Sequence, residues 1–203
     1  MRRSSRQLSL SLPTWGGARL GAGRPPNGAK AGVSHLRRPE IPARHPVHVT
    51  LRVWTGVGYL RAYQRAKILE EAFRAARLRL GMRIVHYSIQ GNHLHLIVEV
   101  DDARSLARGM QGLAIRMARR LNALIGRRGA VFSDRYHSHV LATRREVANA
   151  VRYVLGNYRH HTYEKIAAHW DDPRSSARYL RTLPGENAPV VRPRTWLLRV
   201  GWR

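Results

Sequence analysis

The stretch 83–100 constrains this chain more than any other. Arg83 to Ile89 and His93 to Val100 are strand-length runs rich in Val, Ile and Leu, and Gln90-Gly91-Asn92 lies between them as a turn. Strands joined by so short a connection pair antiparallel. An earlier run, Val47-His48-Val49-Thr50-Leu51-Arg52-Val53-Trp54, alternates and is β-branched, which predicts another strand. Between them Leu69, Ala72, Phe73, Ala76 and Leu80 fall at helical spacing, predicting a helix over roughly 60–80.

After the paired strands, Asp101 or Asp102 can cap a second helix. Its apolar seam is Leu106, Met110, Leu113, Met117, Leu121 and Leu124, and Gly126 and Gly129 bracket its end. Val131 to Ala142 reads as mostly extended. Thr143-Arg144-Arg145-Glu146 is a capping box, so a third helix starts there and runs to about His160. The order β-α-β-β-α-β predicts an α+β chain of ferredoxin-like (split βαβ) type, an antiparallel sheet with two helices on one face. The third helix follows this unit. The organised domain is expected over 41–165. Residues 1–40, rich in Gly, Pro and Arg, read as a flexible basic arm, and 166–203 as a C-terminal tail packing on the domain.

Charge narrows the partners. Among 203 residues there are 37 Lys+Arg and 12 Asp+Glu, a formal charge of +25, spread as +7 on 1–40, +14 on 41–165 and +4 on the tail. A chain this basic is drawn to polyanions, and its bases are mostly arginines, which grip phosphate in a bidentate fork. Arg108, Arg116, Arg119 and Arg120 lie off the seam of the second helix and are expected to contact the phosphates of such a polyanion, as are Arg135, His137 and Arg152. Gly23-Arg24-Pro25 is similar to the core of an AT-hook, which places Arg24 among the expected DNA contacts, weighed against a solvated linker. With no cysteine there is no disulfide, thiolate metal site or cysteine nucleophile. No apolar run approaches the roughly 20 residues of a membrane helix, so no membrane partner is expected and the reading is a cytoplasmic, nucleoid-associated bacterial protein.

Two features carry potential chemistry. In His93-Leu94-His95 the histidines point to one face of their strand and Leu94 to the other, so the two imidazoles can share a metal ion or simply sit on a polar sheet face. Ile97 and Glu99 follow on that face, which implies that something covers it. On the third helix Tyr153 and Asn157 are four residues apart and share a face. A tyrosine beside a metal can be a nucleophile, whereas one packing its ring on the sheet is structural. A second pair, His137-Ser138-His139, reads as phosphate-contacting or surface residues, and His48 as a hydrogen-bonding group near the site.

Gly91-Asn92-His93-Leu94-His95-Leu96-Ile97-Val98 resembles the metal-binding strand of single-tyrosine HUH transposases. Tyr153-Val154-Leu155-Gly156-Asn157 resembles the Tyr-x-x-x-Asn helix of REP-associated tyrosine transposases. Pro46-Val47-His48-Val49-Thr50 is similar to that family's first strand and Phe132-Ser133-Asp134-Arg135-Tyr136 to its fourth-strand region; the resemblance covers 41–165. It implies that His93 and His95 bind one Mg²⁺ or Mn²⁺ with Asn157 as third ligand, and that the tyrosine-bearing helix lies over the sheet face opposite the other two. It also implies that Tyr153 attacks a phosphodiester of single-stranded or hairpin DNA, leaving a 5′-phosphotyrosine link and a free 3′-OH. The alternative is a non-catalytic or domesticated nucleic-acid-binding protein of the same fold. The family includes monomers and helix-swapped dimers, and the REP-associated resemblance points to a monomer. Two departures stand out. Gln90-Gly91 replaces the family's Met-Pro before Asn92, and Tyr158 replaces the proline after Asn157, so the helix can continue past it. Tyr158 is turned about 100° from Asn157, which favours Tyr153 over it as nucleophile.

Overall fold

The computed structural model describes residues 40–161, 170–180, 182 and 184–202. The expected basic arm and its Arg24 lie outside the described residues, apart from Glu40. In chain order the elements are β1 (Val47–Arg52), α1 (Tyr63–Ala76), β2 (Leu78–Arg79), β3 (Met82–Ile89), β4 (His93–Val100), α2 (Ala103–Ile125), β5 (His137–Val140) and α3 (Arg144–His161). Short helical turns follow at Ala177–Leu180 and Leu197–Gly201. The strands form one sheet in the order β2-β3-β4-β1-β5, with every pairing antiparallel. Leaving aside the two-residue β2, this is the expected ferredoxin-like α+β arrangement.

Alternation along the strands builds two cores. Val47, Val49, Leu51, Tyr87, Ile89, Leu94, Leu96 and Val98 face α1 and α2 and are buried among Leu69, Phe73, Leu106, Met110, Leu113, Met117 and Leu121. On the other face Val85 and Ile97 pack with Val147, Val151 and Val154 of α3 and with Leu198. A bulge between Ile84 and His86 puts Val85 and His86 together on the α3 side. The caps are as the sequence implies. Asp102 accepts from the backbone N–H of Ser105 at 2.6 Å, Gly126 closes α2 at φ 65°, and Glu146 Oε2 accepts from the backbone N–H of Thr143 at 2.8 Å.

Two expectations are corrected. The first helix ends at Ala76 rather than near residue 80. Leu80 and Gly81 both take positive φ, 55° and 74°, and turn the chain tightly from β2 into β3. Leu80 is therefore exposed, although its spacing imitates a helix seam. On α2, Leu124 at the end of the seam is also at the surface.

Arg174, Ser176 and Val191 join the outer edge of β3 by backbone hydrogen bonds. Arg174 accepts from Ile89, Tyr87 accepts from Ser176, and Ile84 accepts from Val191, all at 2.8–3.0 Å. They cover the edge that the short β2 leaves open. Glu99, on the α3 face and nearly inaccessible, accepts from the backbone N–H groups of Arg194 and Thr195 at 2.7–2.8 Å and from Arg83 Nε at 3.2 Å. Substituting Glu99→Ala strands all three donors, and we expect a loss of about 2–4 kcal/mol in urea unfolding. Glu99→Gln, which keeps an acceptor, is expected to lose less.

Candidate active site

β4 is central, and β1 pairs with it so that Arg52 lies opposite His93, Thr50 opposite His95, and His48 opposite Ile97. Strand alternation then brings His48, Thr50, Arg52, His93 and His95 to the α3 face. Capping at Thr143 sets the phase of α3, which lays Tyr153 over this group. The Tyr153 ring centre is 5.2 Å from that of His95, edge-on at 78°, and 6.1 Å from that of His48. The His93 and His95 rings are 4.8 Å apart and perpendicular. Together with Asn92 these residues line one open cleft. Tyr153 keeps 42% of its surface exposed, whereas His95 keeps 4%.

Hydrogen bonds orient both imidazoles. His95 Nδ1 lies 3.1 Å from His48 Nε2 and 3.2 Å from Thr50 Oγ1. His93 Nδ1 lies 2.8 Å from Asn92 Oδ1. Assigning a proton to each Nδ1 makes both rings donors there, and Nε2 is then the nitrogen each would offer a metal. Burial pushes His48 down to about 4, with His139 and His137 adding to the shift, so His48 is neutral near pH 7 and can accept from His95. The set fits a divalent cation: two imidazoles, with the amide of Asn157 on the same helix face as Tyr153. Asn157 is fully buried, and neither its oxygen nor its nitrogen has a hydrogen-bond partner among the described residues. No cluster of three or more His, Cys, Asp or Glu able to hold a metal occurs among the described residues, so any ion here relies on two histidines and non-acidic oxygens.

His86, on the same sheet face but enclosed, is also held down to about 4 by burial, with Ser176 Oγ 3.3 Å from its Nδ1. The unfolded chain takes up this proton near pH 6.5 and the folded chain only near 4. Stability is therefore complete above about pH 6.5, falls as pH drops through this window, and levels off below it. We expect His86→Gln to remove on the order of 3 kcal/mol of the difference in unfolding free energy between pH 7 and pH 4, measured by urea titration at both.

The other expected site residues are placed unevenly. His137 and His139 are exposed on β5, opposite Thr50 and His48, and so join the site face; His139 Nε2 is 3.5 Å from Glu146. Arg152 is exposed on α3 next to Tyr153, and Arg135 is exposed in the segment entering β5. Arg108, Arg116, Arg119 and Arg120 are not brought to the cleft. They belong to α2, which packs on the opposite sheet face, and Arg120 is engaged by Glu71. Tyr158 has the Arg61 guanidinium 3.7 Å over its ring, and Arg61 in turn pairs with Asp172 through two hydrogen bonds at 2.8–2.9 Å. That stack holds Tyr158 away from the histidines. Thr50, Arg52 and Asn92 escaped the sequence reading. The alternation starting at His48 could have found Thr50 and Arg52, but only the β1–β4 register sets them opposite His95 and His93.

This arrangement of sheet, histidine pair and helix-borne tyrosine coincides with a family match. The model of the IS200-like transposases matches residues 44–157, and the chain belongs to that family. Among solved structures it is similar to a REP-associated tyrosine transposase bound to a REP hairpin, with a TM-score of 0.58 and 16% identity over 76% of this chain and 90% of that one. A candidate transposase from Deinococcus radiodurans matches with 15% identity over 62% of this chain and 95% of that one, at a TM-score of 0.41. No curated protein matches the chain.

Proposed function

We propose that the chain is a metal-dependent endonuclease and strand transferase acting on single-stranded or hairpin DNA, with Tyr153 as nucleophile. The observation that carries this reading is the seating of a half-exposed tyrosine ring against His95, with His93 beside it, in an open cleft. A binding protein has no use for that combination. His93 and His95 would hold Mg²⁺ or Mn²⁺, with Asn157 as the additional oxygen ligand. When bound, the ion supplies Lewis-acid polarisation of a non-bridging phosphate oxygen. His48 and Thr50 keep the His95 ring in one orientation, and Asn92 does the same for His93. Tyr153 Oη forms a bond to phosphorus as the bond to the 3′ oxygen breaks. The phenolic proton is lost, the leaving oxygen takes up a proton as a 3′-OH, and a 5′-phosphotyrosine link remains. That link conserves the phosphodiester bond energy, so rejoining needs no nucleotide cofactor. Arg52 lines the cleft, His137 stands opposite Thr50 on the same sheet face and Arg152 is exposed on α3 next to Tyr153, so all three are suited to hold the backbone.

Incubation with labelled hairpin and unstructured single-stranded DNA in Mn²⁺ tests the proposal. We expect a covalent protein–DNA adduct that resists denaturation. Binding without an adduct on any strand would favour the non-catalytic reading of the same fold.

A further inference from the structure

Beside the cleft lies a group of exposed aromatic side chains that the chemistry above does not use. Trp54 is 44% exposed, Tyr59 56% and Tyr63 69%. A lone surface aromatic needs no explanation, but three within ten residues do. Trp54 and Tyr59 are tied to the turn that enters the histidine strand. The backbone N–H of Val53, next to Trp54, donates to Asn92 at 2.9 Å, and that of Leu60, next to Tyr59, donates to Gly91 at 2.8 Å. The Tyr59 ring lies so close over Gly91 that a Cβ there would meet it at 3.1 Å. His93 is thus two residues from Gly91, which holds the Leu60 backbone beside Tyr59, and one from Asn92, which holds the Val53 backbone beside Trp54.

The surroundings are cationic. No acid occurs between Glu40 and Glu70, whereas Arg44, Arg52, Arg65 and Lys67 do, besides Arg61, whose charge is met by Asp172. Arg127 lines a surface hollow with Trp54, and the Arg174 guanidinium lies 5.8 Å over the Tyr63 ring. Arg52, two residues before Trp54, lines the cleft itself. Aromatic faces interleaved with arginines suit unpaired bases, which stack, on a backbone that the cations hold.

We propose that Trp54 and Tyr59 form a stacking platform for unpaired bases flanking the phosphodiester held at His93 and His95, with Tyr63 extending it. This deepens the DNA-processing reading of the same site and rests on it. The platform reads bases as flat surfaces, so it selects unpaired over paired DNA without selecting sequence.

The test uses the full chain in metal-free buffer, where no cleavage can occur. Probes are a labelled oligo-dT, an abasic strand of equal length and charge, and a blunt duplex. Wild type is expected to bind oligo-dT about tenfold or more tighter than the abasic strand, since base stacking carries that much. In the double variant Trp54→Ala, Tyr59→Ala the preference is expected to vanish while abasic binding stays, and Trp54→Phe is expected to retain most of it. An independent reading is Trp54 emission, taken as wild type minus Trp54→Phe, which is expected to be quenched by oligo-dT and not by the abasic strand. Retention of the preference by the double variant, or unquenched Trp54 at saturation, overturns the platform. Equal affinity of wild type for bases and abasic strand also overturns it and leaves the aromatics to a protein partner. The adduct assay in Mn²⁺ reports separately: a Tyr153-dependent adduct with no base preference sinks the platform alone, whereas base preference with no adduct sinks the nuclease reading alone.

Discussion

Tyr153→Phe is expected to bind hairpin DNA within about threefold of wild type and to form no covalent adduct with it, a loss on the order of 10³-fold or more. The substitution removes one oxygen and keeps the ring. The ring faces His95 and His48 edge-on, contacts that phenylalanine reproduces, so the fold and the cleft survive. The measurement is adduct yield on labelled DNA against Mn²⁺, with binding followed in parallel by anisotropy. Undiminished adduct in this variant would move the nucleophile elsewhere, and Tyr158 is a poor substitute while Arg61 lies over its ring. Tyr158→Phe is accordingly expected to keep adduct formation, because the stack with Arg61 needs the ring and not its hydroxyl.

His95→Gln is expected to lower adduct yield by about two to three orders of magnitude, and more Mn²⁺ should restore part of it. Glutamine retains a hydrogen-bonding group toward His48 and Thr50, so a buried position is not left as a cavity. His93→Gln is expected to act in the same direction. The check is a Mn²⁺ titration of adduct yield for each variant beside thermal unfolding. A shifted metal dependence with an unchanged melting temperature identifies a ligand. Full activity of His95→Gln at every Mn²⁺ concentration would remove the histidine pair from the chemistry. With imidazole donors and no cluster of three or more His, Cys, Asp or Glu able to hold a metal among the described residues, Mn²⁺ is expected to serve better than Mg²⁺, which prefers oxygen.

Much of the site was legible because period-2 and period-4 spacing survive folding. His93 and His95 share a face on any strand, and Tyr153 and Asn157 on any helix. The arginines of α2 show the limit. Their position off the apolar seam says that they meet solvent, but not which face of the sheet the helix covers. Arg61 was silent for a related reason: its partner Asp172 is 111 residues away and comes to it only because the C-terminal segment lies along the edge of β3. Leu80 misled because a leucine at helical spacing looks the same whether the chain continues as a helix or turns at positive φ.

Local rules thus determined the strands, the capped helices, the ferredoxin-like order and the pairs His93–His95 and Tyr153–Asn157. Each depends on residues a few positions apart. The tertiary structure decided the rest. It chose the register that sets Thr50 and Arg52 opposite the histidines, the side of the sheet taken by α3, and the burial that keeps His48 and His86 neutral. Those depend on groups far apart in the chain, whose approach is fixed by packing two apolar faces of one sheet at once.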